Sequence, residues 1–299
     1  MSSTGTMLGV AVPAAVLGAA GFGLASAVQQ RATKQVPTSR TLDPRLLWDL
    51  VRKPIWVLSI GTVLAGLALQ MVALAFGPLV LVQPLLVTSV LFGAVFAAGM
   101  AHRKLDRVLV LGALAVMAGL AVFLLLARPA GEGTGFTASA DVRPLAVLLA
   151  VVVVGCVLAA NRFPGEVRVL SLALATGVLY GVTAGLIKVV AEQLRHGGIA
   201  EPFTQPSLYV VCALGPVGFL LSQNTFQQGK FISPALAVIT AVDPLVGMAI
   251  GVSWLGERIE TSPPALVGQA FAAMALLVGI WVLTHRGEHL RRVAEMRAG

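Results

Sequence analysis

The chain has 299 residues, of which 57% are hydrophobic and 11% charged, and its mean hydropathy is +0.90. An ordinary soluble domain carries about 25% charged residues, so this chain lacks the polar surface that a water-soluble protein of its length needs. Its net charge of +8 comes from Lys and Arg standing between apolar runs, a placement that points to membrane orientation rather than to nucleic acid.

Apolar runs of bilayer-spanning length recur along the sequence. In hydrocarbon such runs must be helices, because every backbone polar group has to be satisfied within its own segment. About nine spans are expected: residues 7–27, 54–75, 78–101, 108–127, 144–160, 169–191, 207–221, 232–255 and 264–284, the fifth and seventh being short. The "ASAVQQ" that closes the first apolar stretch resembles a signal-peptidase site. Residues 1–8 carry no Lys or Arg, however, so the segment is read as a retained helix. Cys156 and Cys212 each lie inside a span and imply neither a disulfide framework nor a metal spacing.

With this division Arg128, Arg143, Arg195 and Arg258 fall on one side of the membrane, and Lys188 falls within a span. The other sixteen of the 21 Lys and Arg residues fall on the opposite side. The positive-inside rule then places the N-terminus outside and the C-terminus in the cytoplasm of an inner or plasma membrane.

"LVLVQPLLV" in the third span resembles "VITAVDPLVG" in the eighth: each sets a polar residue before Pro and then Leu. A first four-helix repeat over 7–127 and a second over 169–284, joined by a connector helix at 144–160, would be inverted by that odd connector. Inverted repeats build many secondary transporters around a midplane site. Residues 285–299 form a basic cytoplasmic tail. The fold expected is therefore an all-α polytopic bundle with inverted four-helix repeats.

Asp243 lies near the middle of its span, where an ionised carboxylate is costly unless it is paired or faces water. Pro244 removes a backbone donor and frees the carbonyl of Thr240. Thr240, Asp243, Gly247 and Gly251 share one helical face, giving an oxygen-rich spot for a cation (a tentative metal contact at Asp243), a proton or a polar solute. A kink stabilised by a neighbouring helix is the other reading. Gln83 and Pro84 are the counterpart, with Thr88 one turn on. Lys188 follows Gly177, Gly181 and Gly185 on a small-residue stripe suited to close helix contact, and either faces the bundle or snorkels to the interface. Tyr180 and Thr183 are further polar groups in that span. A depth difference of about 12 Å at helical rise separates Lys188 from Asp243 and argues against a direct bond.

No phosphate-binding glycine loop precedes a Lys-Ser/Thr pair, no metalloprotease or Ser-His-Asp pattern is found, and the four histidines have no metal spacing. Enzymatic activity and a resident cofactor are not expected. The run "VDPLVGMAIGVSWLGERIETSPPALVGQAFAAMALLVGIWVL" resembles the Pro-containing helix, Gly-Glu-Arg loop (Gly256, Glu257, Arg258) and small-residue final helix of the drug/metabolite transporter (DMT) superfamily, in its EamA-like members. "RKPIWVLSIGTVLAGLALQMVALAFGPLVLVQPLLV" is similar to the NIPA-like branch, some members of which transport magnesium. The resemblance implies secondary transport of a small solute by alternating access, with a Mg²⁺ or other divalent-cation substrate as the alternative. A non-transporting membrane scaffold is a third reading. The expected partners are a small-molecule or ion substrate and the lipid bilayer, with no nucleic acid and with a homodimer left open.

Overall fold

The computed structural model describes residues 3–33, 35–36, 42–100, 107–128, 142–227 and 232–298. These are all-helical. In chain order the helices are α1 (Ser3–Thr33), α2 (Arg45–Val51), α3 (Pro54–Phe76), α4 (Leu79–Leu86), α5 (Ser89–Met100), α6 (Arg107–Ala127), α7 (Arg143–Arg162), α8 (Glu166–Gly197), α9 (Glu201–Thr204), α10 (Pro206–Phe226), α11 (Ile232–Ser253) and α12 (Pro263–Ala298). Eight segments of the described residues are long and apolar enough to cross a bilayer. The fourth expected span is present as α6, whose apolar stretch Leu114–Ala127 is shorter. Leu58, Leu125 and Phe271 are more than 70% exposed on the outside of the bundle, as lipid-facing side chains are. The chain is a multi-pass membrane protein.

The helices differ from the sequence reading in three places. The third span is broken: α4 and α5 are separated at Val87–Thr88. Pro84 has no N–H to give Val80, and the turn after it tightens to Val87 N–H on Pro84 O and Thr88 N–H on Leu85 O, both three-residue bonds. The Thr88 hydroxyl also donates to Leu85 O at 2.7 Å, so this carbonyl accepts from both the amide and the hydroxyl of Thr88. The fifth and seventh spans are full helices of 20 and 21 residues. The last helix does not stop at Thr284 but runs to Ala298, because residues 285–298 are mostly good helix formers and a lone Gly287 costs only about 1 kcal/mol. The side chains of the basic tail lie outside the described residues.

Every residue of α4 is buried, which makes this short helix the centre of the bundle. It lies between α11 and α1. Around it α1 packs along α3 and α5, α8 along α10 and α11, and α6 along α12. The glycine stripe of α8 explains one of these contacts. A Cβ at Gly177 would meet Val242, one at Gly181 would meet the Asp243 carbonyl at 2.6 Å, and one at Gly185 would meet Ile250 at 2.6 Å.

The end of α3, the start of α4 and the ends of α6, α8 and α11 gather at one end of the bundle, where Glu260 N–H bonds Ala127 O at 2.8 Å. The end of α1, the start of α3 and the end of α10 meet at the other, through Gln29, Trp56 and Gln223. At that end α2 turns Leu46 and Leu50 inward and Trp48 outward, with the Arg52 guanidinium 5.8 Å above the indole. This is the arrangement of an interfacial anchor.

Gly181→Leu forces α8 off the α11 backbone and lowers stability by roughly 2–3 kcal/mol, whereas Gly155→Leu, with nothing within 4 Å of the added Cβ, leaves it unchanged. Thermal unfolding in detergent checks this, and equal melting temperatures for the two variants count against the packing.

Candidate functional site

The crossing of α4 and α11 is antiparallel and close, because α11 presents glycine to α4. Gly251 lies against Val80, where an added Cβ would come 3.1 Å from a Val80 methyl. Gly247 lies against Gln83, where it would come 2.7–2.8 Å from the amide group and its methylene. Asp243 follows one turn deeper on the same face of α11. Gln83 is 1% exposed and its Nε2 has no hydrogen-bond partner among the described residues; Asp243 Oδ1 is sealed and likewise unpaired. A donor without an acceptor and an acceptor without a donor are thus buried here, with Asp243 one helical turn along α11 from the glycine that meets Gln83. Each leaves roughly 1–3 kcal/mol of desolvation uncompensated, which a polar ligand or a trapped water recovers.

The other predicted residues divide around this crossing. Tyr180 lies beside Ser222 and within electrostatic range of Asp243, on the α8–α10 side. Pro84, Thr240 and Pro244 face the opposite way. With Phe123 and Leu276 they line a half-open recess in which Thr240 is the one polar side chain, and Asp243 is not part of its wall. The hydroxyls of Thr240, Thr183 and Thr88 each donate to a carbonyl of their own helix, at 2.7, 2.6 and 2.7 Å. They offer a ligand lone pairs but no free donor.

Lys188 belongs to a separate cluster. It is 1% exposed, and its Nζ donates to Leu74 O at 2.7 Å, Gly77 O at 3.1 Å and Glu192 Oε1 at 2.6 Å. Arg195 Nη1 donates to Ala75 O at 2.9 Å, and the guanidinium sits 5.4 Å over the Phe76 ring. Both cations therefore take carbonyls at the C-terminus of α3, where the last turn has no partner of its own and the helix dipole is negative. Across Gly77–Pro78 the polarity reverses. The α4 N-terminus points its Leu79 and Val80 amides at the Glu257 carboxylate, at 2.6 and 2.7 Å. Glu257 is 2% exposed and reaches α4 because Gly256, at φ +66°, turns the chain back so that Glu257 N–H bonds Gly251 O at 2.9 Å. Burial pushes the Glu257 carboxyl above its ordinary range, against the opposing pull of the two amides and of Lys188.

At the opposite end Trp56 Nε1 donates to Gln223 Oε1 at 3.2 Å, and Gln223 Nε2 donates to Gln29 Oε1 at 3.0 Å. Gln223 thus joins three helices, α1, α3 and α10. Glu192 and Glu257 are the residues that reading the sequence as spans left without a role. Glu192 was legible as the i+4 partner of Lys188, whereas Glu257 meets α4 across 177 residues of chain and carries no local signal.

No family model matches the chain, and no solved structure matches it. It is similar to an uncharacterized protein of Corynebacterium glutamicum, 26% identical over 271 residues that cover 88% of this chain and 93% of that one.

A carboxyl whose folded-state pKa is raised contributes most stability below its ordinary value of 4.5 and loses that contribution as pH rises through the folded-state value. The melting-temperature advantage of wild type over Glu257→Gln accordingly narrows as pH is raised from 4.5 toward neutrality. A gap that widens over that range contradicts the raised pKa.

Proposed function

We propose that the chain is a secondary transporter of the drug/metabolite transporter kind, moving a small polar solute by alternating access through the α4–α11 crossing. The observation that carries this reading is the pair of stranded groups, Asp243 Oδ1 and Gln83 Nε2, beside an antiparallel glycine contact at membrane depth. A protein selected for stability alone gains by pairing such groups or replacing them, and intramembrane polar groups left open mark solute paths.

The helix pairing supports the inverted repeat. α1 packs on α3 and α5 as α8 packs on α10 and α11; α3 touches α8 as α1 touches α10; and α4–α11 and α6–α12 pair across the relation. α7 lies mainly on α8, as a connector does. In this reading the end holding Lys188 and Glu257 faces outward, and the end rich in Lys and Arg faces the cytoplasm.

A dry Mg²⁺ site is the weaker reading. Magnesium takes several oxygen ligands in near-octahedral geometry, and among the described residues no group of three or more His, Cys, Asp or Glu gathers to hold a metal ion. A solute that accepts from the Gln83 amide and donates to Asp243 fits the groups present.

Replacing an unpaired buried donor by an apolar isostere is neutral or stabilising, so Gln83→Leu keeps or raises the melting temperature. Asp243→Asn and Gln83→Leu each slow uptake by roughly tenfold or more, the equivalent of one or two lost hydrogen bonds. The assay is proteoliposome uptake across a metabolite panel, with Mg²⁺- and pH-sensitive dyes inside the vesicles. The scaffold reading gains, and transport fails, if no solute or ion distinguishes wild-type vesicles from empty ones.

A further inference from the structure

Lys188 is the largest of the fully buried side chains, and its surroundings are those of a bound ion. An ammonium carries three donors and no acceptor. Here each donor meets one oxygen: a carbonyl of the last turn of α3, the carbonyl of the linking Gly77, and a carboxylate of α8. Glu257 adds a second negative charge within electrostatic range. Carbonyl oxygens at the C-terminal end of a membrane helix, completed by a carboxylate, are also the kind of ligand set that replaces the hydration shell of an alkali cation. Lys188 delivers its charge into that set from α8, on a four-carbon stem. The far side of the set leads to water, because Glu192 Oε2 lies 3.1 Å from Nε2 of His196, whose side chain is 58% exposed.

We propose that the oxygens of Leu74, Gly77 and Glu192 form a monovalent-cation site that the Lys188 ammonium fills as a tethered ion. This end of the bundle is thereby held shut without an ion from solution. The ligand class is an alkali cation or a small primary ammonium. Arg195 and His196 on α8 and Glu257 after α11 are the other ionisable groups facing the site. None of them takes the lysine's place, since the Arg195 contact runs to Ala75 O and His196 lies beyond Glu192. The proposal is independent of the transport reading because its readout is stability.

The test uses the full chain in detergent, with melting temperatures measured at matched ionic strength in choline, sodium, potassium and methylammonium chloride. Wild type melts at one temperature in all four. Lys188→Ala melts on the order of 10 °C lower in choline, because it leaves Glu192 buried and unpaired. It then regains stability as K⁺, Na⁺ or methylammonium is raised, following mass action. Adding Glu192→Gln abolishes that recovery. Lys188→Ser, which keeps a small polar group in the space, is measured alongside and shows the same ion dependence. The proposal is overturned if both Lys188 variants melt equally in all four salts or aggregate in all four. It is overturned as well if the recovery survives Glu192→Gln.

Discussion

Where the chain turns from one buried helix into the next, the break in the hydrogen-bond ladder exposes carbonyls on one side and amides on the other, and apolar packing satisfies neither. The junction of α3 and α4 is such a break, and the surrounding bundle is organised to satisfy it. Lys188 and Arg195 of α8 take the carbonyls, and the Glu257 carboxylate takes the amides. Each charge has the sign that the local helix dipole favours. Because all three residues come from the second half of the chain, the break also ties the two halves together at that end.

Among the described residues the opposite end is joined by the neutral groups Trp56, Gln223 and Gln29, each from a different helix. Charge-assisted bonds are roughly twice as strong as neutral ones, so the two ends are closed with unequal strength. Between them lies the glycine-mediated crossing of α4 and α11, where Gln83 and Asp243 are left unsatisfied. On the transport reading proposed above, firm closure at one end, weaker closure at the other and unpaired polar groups between them would serve alternating exposure of a central site.

Much of the architecture was legible because hydropathy is a local property. Apolar run length located the helices, and the spacing of Gly177, Gly181 and Gly185 marked the face of α8 that meets α11. Asp243, Gln83 and Lys188 stood out as polar groups in apolar runs. What they touch was not legible. Pro84 signalled a perturbed helix but not a break three residues later, since that depends on Thr88 turning both its amide and its hydroxyl onto Leu85 O. Glu257 read as one residue of a loop, and only the left-handed turn at Gly256 together with the placement of α4 makes it a buried cap. The recess beside Pro244 is likewise a product of packing, and it separates Thr240 from Asp243 although the two share a helical face.

The organisation of this end depends on the carboxylate of Glu257 holding the start of α4. Hydrogen–deuterium exchange of the Leu79 and Val80 amides, compared between wild type and Glu257→Ala in the same detergent, addresses it directly. Protected amides are expected in wild type, with exchange on the order of tenfold faster or more in the variant, in line with the loss of a charge-assisted bond to each. Equal exchange rates in the two proteins would contradict it.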